Sequence, residues 1–147
     1  MKFFRDLIST VLGLIIGGLA GFGIERYGHH LFTAYKDVPN ITEPLAFAAF
    51  IETLPTGAFL LLLLAHSTGT MISAYLASLF SGHTQRIPAI AVGSLMIAGS
   101  IRNSILIPHP VWYQLSDVLI CIPAAFLGHQ IYVKTTQKFT ARQSHNL

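Results

Sequence analysis

Arg102, Asn103 and Asp117 interrupt sequence that is otherwise apolar, where ionisable side chains are expensive. Placing such a group at mid-bilayer costs about 2.5–3.5 kcal/mol on insertion scales, so each needs a partner, a wet cavity or a function. Arg102 lies near the end of one apolar run, and Asp117 lies in the first turn of the next, across Pro108-His109-Pro110. Glu52 approaches the same level from a short apolar segment, and Glu25 from the end of the first run. Glu52, Arg102, Asn103 and Asp117 therefore make a candidate site for a small solute or ion, with Glu25 and His109 at its rim. The same groups would equally serve structure. An ion pair of Arg102 with Asp117 or Glu52 would lock a bundle, and a long Arg side chain can reach the headgroups.

His66 joins this candidate site as an internal polar step, because it sits mid-run beside Ser67 and Thr68. Imidazole titrates near neutral pH, which suits a proton relay as well as a plain hydrogen bond to a neighbouring helix. His129 would be a second step towards the opposite side. His29-His30 and His109 share one side but lack the spacing of a metal site, so no metal is expected. Nothing resembles a Ser/His/Asp arrangement, a phosphate-binding glycine loop or a haem-attachment motif, so no cofactor is expected and catalysis is disfavoured. Glu52, His66 and Asp117 are the acid–base candidates if the chain is an enzyme after all, acting on a lipid or quinone.

The elements that must position these groups are apolar runs at residues 7–24, 57–80, 88–107 and 115–133. Each is near the ~20 residues that a helix needs to cross hydrocarbon. They lack the period-2 alternation of a barrel, so they read as helices. The fold class is all-α, a polytopic membrane protein in which residues 1–133 form a single four-helix domain. The 147 residues are 52% hydrophobic and 10% charged, leaving no room for a second domain and no basic patch for nucleic acid. Residues 26–56 form the long outer connection, with a short interfacial or re-entrant helix over 45–54, Thr42 as its N-cap and Pro44 in its first turn. Trp112 and Tyr113 read as headgroup-level anchors, and residues 134–147 as a disordered cytoplasmic tail.

Lys2, Arg5, Arg86, Lys134, Lys138 and Arg142 fall on one side, against Arg26 and Lys36 on the other. The positive-inside bias predicts a multi-pass inner (plasma) membrane protein with both termini cytoplasmic. The first run would also pass as a cleavable signal peptide ending at Gly18-Leu19-Ala20, but it is expected to stay as a span. Small residues recur every fourth position at Gly13, Gly17 and Gly21, and again at Ala65, Gly69, Ser73, Ala77 and Ser81. Such ladders let helix backbones approach closely. They predict tight bundle packing. Alternatively, they offer a face to a second copy or a partner membrane protein through Gly13, Gly17 and Gly21 or through Gly69, Ser73 and Ala77.

Gly17-Gly18-Leu19-Ala20-Gly21 followed by Arg26-Tyr27 resembles the opening motif of small four-span fluoride channels, with one residue too many before the Arg-Tyr pair. That family's asparagine-bearing second span and Thr-Phe-Ser break are absent. Leu54-Pro55-Thr56-Gly57-Ala58, Arg102-Asn103, Ile107-Pro108-His109-Pro110-Val111-Trp112, Asp117 and Ile122-Pro123-Ala124-Ala125 resemble small four-span bacterial inner-membrane proteins of no assigned activity. That resemblance covers roughly the last two thirds of the chain. It implies a topology and no mechanism. Transport or conduction of a small solute or ion is the leading expectation, and an accessory or assembly subunit the alternative.

Overall fold

The computed structural model describes residues 2–40, 42–82 and 84–144. Its helices are α1 (Lys2–Leu31), α2 (Pro44–Thr53), α3 (Thr56–Ser81), α4 (Ile87–Leu106) and α5 (Val111–Ser144), with a 3₁₀ turn at Thr33–Asp37. Four of them, α1, α3, α4 and α5, are long and apolar enough to cross a bilayer. Their outward faces carry Ile8, Ile15, Leu19, Phe22, Leu60, Leu95, Ile105, Leu119 and other exposed apolar side chains. A surface this apolar suits hydrocarbon and not water. The chain is built as an all-α, multi-pass membrane protein.

Local chemistry explains the ends. Gly82 adopts φ 70° and returns its N–H to Ser78 O, closing α3 with the left-handed cap that glycine permits. Pro88 occupies the first turn of α4, where its missing N–H costs nothing. In α2 the cap position is Glu43, not Thr42, because Pro44 begins the helix and holds the residue before it out of helical geometry. The Thr42 N–H is instead bonded to Asn40 Oδ1 at 3.1 Å. α5 does not stop at Val133. Residues 134–144 contain no Gly or Pro to end it, so the expected disordered tail is helical as far as Ser144, and residues 145–147 lie outside the described residues.

The two small-residue ladders meet each other. A Cβ added at Gly13 would stand 2.5 Å from Ser73 O, and at Gly21 3.0 Å from Ala65 O; one at Gly17 would collide with Gly69 O and Ser73 Oγ. α1 and α3 are thus antiparallel and in backbone contact. The faces Gly13-Gly17-Gly21 and Gly69-Ser73-Ala77 are buried within the chain, which corrects the idea of offering them to a partner. α1 is an integral part of the bundle, packed straight through Gly17 and Gly21. On its other side α3 packs parallel to α5, where Gly128 lies against the Met71 carbonyl, and α5 packs antiparallel to α4 through Ala125 and Gly93.

α2 caps the bundle rather than lying apart from it. Ile51 and Leu54 are buried with Ala58, Phe59, Leu63 and Tyr113, and Phe32, Tyr35, Phe47 and Phe50 pack around them. Tyr113 is 1% exposed and belongs to this core, whereas its neighbour Trp112 is 41% exposed. Of the two expected headgroup anchors, only Trp112 sits at the surface.

Candidate functional site

The parallel register of α3 and α5 brings two polar pairs together across one interface, each separated by 51 residues in sequence: His66–Asp117 and Ser78–His129. His66 Nδ1 lies 2.7 Å from Asp117 Oδ1. Asp117 is 1% exposed and accepts, so Nδ1 carries the proton and Nε2 is the ring nitrogen left uncommitted by this bond. His66 lies ten residues into α3 (66 − 56) and Asp117 six into α5 (117 − 111), about 9–15 Å below the helix ends. The carboxylate cannot reach water from there and finds its partner on the neighbouring helix.

Above the pair is a partly open cavity of about 390 Å³ between α1, α3 and α4, with α2 and the 3₁₀ turn lining its loop side. His66 forms part of its lining. Tyr35, Phe47, Phe50 and Tyr113 give it aromatic walls, while Glu25, His29, Asn103 and His109 supply polar atoms. Glu25 and His29, one turn apart on α1, lie 3.8 Å from each other, and the His29 ring stacks on Tyr35 with centroids 4.2 Å apart. Burial, and then the negative charge of Glu25, push the Tyr35 hydroxyl up from its ordinary pKa, so it stays a neutral donor. His109 packs against Tyr113 and Phe59, and Nδ1 donates to Ile107 O at 3.2 Å. Burial lowers the His109 pKa despite that hydrogen bond and the charge of Asp117.

Of the residues expected at the site, the structure brings Glu25, His66, Asn103 and His109 to the cavity and sets Asp117 directly behind His66. Arg102 and Glu52 point away from it and are exposed. Asn103 and Ser100 define the inward face of α4, and Arg102 is about 100° round the helix from Asn103, towards lipid. Among the described residues Arg102 makes no ion pair, so the expected lock with Asp117 or Glu52 is absent. Glu52 is displaced for a similar reason, since Ile51 and Leu54 take the core side of α2. His109 is buried in the wall rather than perched on the rim.

His129 is not on the cavity. It is 4% exposed, and its Nδ1 lies 2.9 Å from Ser78 Oγ. The Ser78 hydroxyl donates to Ala74 O, so it accepts from His129. Between the two pairs the interior is closed by Thr70, Ala74, Val92, Cys121 and Ala125, all at most 1% exposed. A second, more open cavity of about 250 Å³, against Ser67, Thr68, Met71 and Pro123, shares no residue with the first. Among the described residues no group of three or more His, Cys, Asp or Glu is arranged to hold a metal.

Tyr35, Phe47, Phe50, Ser100 and Tyr113 are site residues that sequence reasoning missed. An aromatic residue in an apolar run carries no mark of the face it will take. The available signal was the density of aromatics in residues 32–50, next to a segment too short to cross. No protein-family profile, curated protein or solved structure matches this chain.

Proposed function

We propose that the protein handles a small organic molecule, held in the loop-side cavity against His66, and that it does not conduct bare ions. The observation that carries this reading is the His66–Asp117 pair flooring a cavity of about 390 Å³, within the range of small-ligand sites. Aromatic walls supply contact area, and a few polar groups supply orientation. Transport of the molecule would then require the bundle to open alternately to its two sides. Ion conduction is disfavoured by the close-packed layer of Thr70, Ala74, Val92, Cys121 and Ala125 beneath the pair. The charge distribution supports an inner-membrane setting with both termini cytoplasmic, which puts the cavity on the outer side.

A second reading, a membrane-embedded enzyme, is favoured by one specific feature. A buried carboxylate that fixes the imidazole tautomer is the orientation device used by general bases. An accessory role through the glycine ladders loses support, because those ladders are occupied within the chain.

The test is a thermal-stability screen of the purified protein in nanodiscs against a panel of small organic solutes, with His66→Ala beside wild type. A ligand that binds only the folded state raises the melting temperature. A solute that protects wild type and not a folded His66→Ala variant supports the reading. Equal protection of both, or rapid ion leakage from proteoliposomes, refutes it.

A further inference from the structure

One wall of the cavity lacks a side chain. Gly99 of α4 lines the cavity, is exposed, and has no atom within 4 Å of where a Cβ would stand. It lies seven residues before the end of α4 at Leu106, about 10 Å inside the apolar zone. Across the gap is α1, which is pinned to α3 by its glycines and scarcely touches α4. One turn either side of Gly99 on the same face of α4 are Leu95, exposed and apolar, and Arg102, exposed nearer the helix end, while α1 carries the exposed apolar Leu19 and Phe22. The surroundings of Gly99 at this depth are hydrocarbon, while Tyr35, Phe47 and Phe50 line the cavity on the loop side.

Resting on the reading of this cavity as a ligand site, we propose that its ligand arrives sideways from the bilayer between α1 and α4 at Gly99, and is a quinone- or phenol-type ring on an apolar tail. The flat ring suits walls made of Tyr35, Phe50 and Tyr113. A ring oxygen suits His66 Nε2, which accepts from a hydroxyl when neutral and donates to a carbonyl when protonated. The tail remains in the gap beside Gly99. A phosphate-bearing lipid head does not suit the same walls, because they include Glu25 and neither Lys nor Arg.

The experiment uses full-length protein in nanodiscs, titrated with a benzoquinone carrying a decyl tail. Trp112 is the single tryptophan, and its ring centroid lies 6.2 Å from that of Tyr113 in the cavity wall, so its fluorescence reports occupancy by quenching. Wild type should show a saturable component above the linear collisional background. Gly99→Phe projects a side chain into open space, so it should fold and lose the saturable component. Gly99→Met, a smaller plug, is read the same way should the larger one misfold. His66→Ala should weaken binding by about tenfold, the loss of one hydrogen bond. Purely linear quenching in wild type overturns the ligand class. If a solute from the thermal screen still protects wild type through His66, the functional reading survives that result. Saturable quenching that persists in Gly99→Phe, with the tail-less ring binding equally well, overturns the lateral route and leaves a site loaded from water.

Discussion

Removing His66 from its contact with Asp117 tests whether the pair is a single unit. In His66→Ala the Asp117 carboxylate, 2% exposed, loses the one hydrogen-bond partner that the described residues give it. Leaving a buried carboxylate without its donor costs about 3 kcal/mol or more. Asp117→Asn keeps a hydrogen-bonding side chain but loses the charge-assisted bond, at about 1.5–3 kcal/mol. Replacing both, as His66→Leu with Asp117→Leu, removes the buried charge together with the group that needed it and should cost far less than the sum. A coupling of about 2–3 kcal/mol is therefore expected from a double-mutant cycle. Reversible unfolding in mixed micelles, followed by circular dichroism, provides the free energies, and ligand protection provides the second readout. Additivity within about 0.5 kcal/mol would show that the two side chains act independently, and the site would lose its floor.

Arg102→Ala should change stability by at most about 0.5 kcal/mol and combine additively with Asp117→Asn in the same unfolding assay, since Arg102 is exposed and unpaired among the described residues. Gly17→Ala should destabilise by about 1–3 kcal/mol, because its Cβ meets Gly69 O and the Ser73 backbone, while Gly18→Ala, with nothing within 4 Å, should stabilise by up to about 1 kcal/mol; equal effects would remove the case for backbone contact. The lowered His109 pKa means that the unfolded chain takes up this proton first, so its contribution is intact above pH about 6.5 and declines as the pH falls below that value. Melting temperatures of wild type minus His109→Gln across pH 5–8 should show that decline, and a flat difference would place His109 in water.

Much of the fold was legible because lipid imposes one rule on every residue of a span. Four runs of suitable length had to be helices, and glycines at every fourth position had to lie on one face. The site was only half legible. Depth can be read from position along a run, and Glu25, His66, Asn103 and His109 do line one cavity, although the run positions set His66 deeper than the Asp117 it contacts. Azimuth cannot be read without a partner helix, and a rotation of about 100° separates Asn103, which lines the cavity, from Arg102, which faces lipid. Arg102 is a charge near the end of an apolar run, where insertion is costly. That cost is reduced for a long side chain near a helix end, which can carry its guanidinium towards the headgroups, and is not reduced for Asp117, which is short. The buried carboxylate is the group that needs a partner, and that partner is His66, which lies deeper from its helix end than Arg102 does.

The two polar pairs on the α3–α5 interface also show why a buried histidine cannot be assigned a role from its type. Both fix the same register, since sliding α5 by one residue would rotate Asp117 and His129 away from their partners together. Specifying register is a well-attested use of buried polar groups, and it accounts fully for Ser78–His129, which is enclosed on every side that the described residues show. It does not account for His66. A register lock works best when its members are dry, yet the His66 side chain is 29% exposed beneath a cavity, while Asp117 behind it is sealed. Lining the cavity with leucine at this position would be cheaper than presenting half an imidazole to it. The asymmetry between the sealed pair and the open one is what supports the proposed ligand site at His66, and His129→Leu with Ser78→Ala should accordingly alter stability without altering ligand protection.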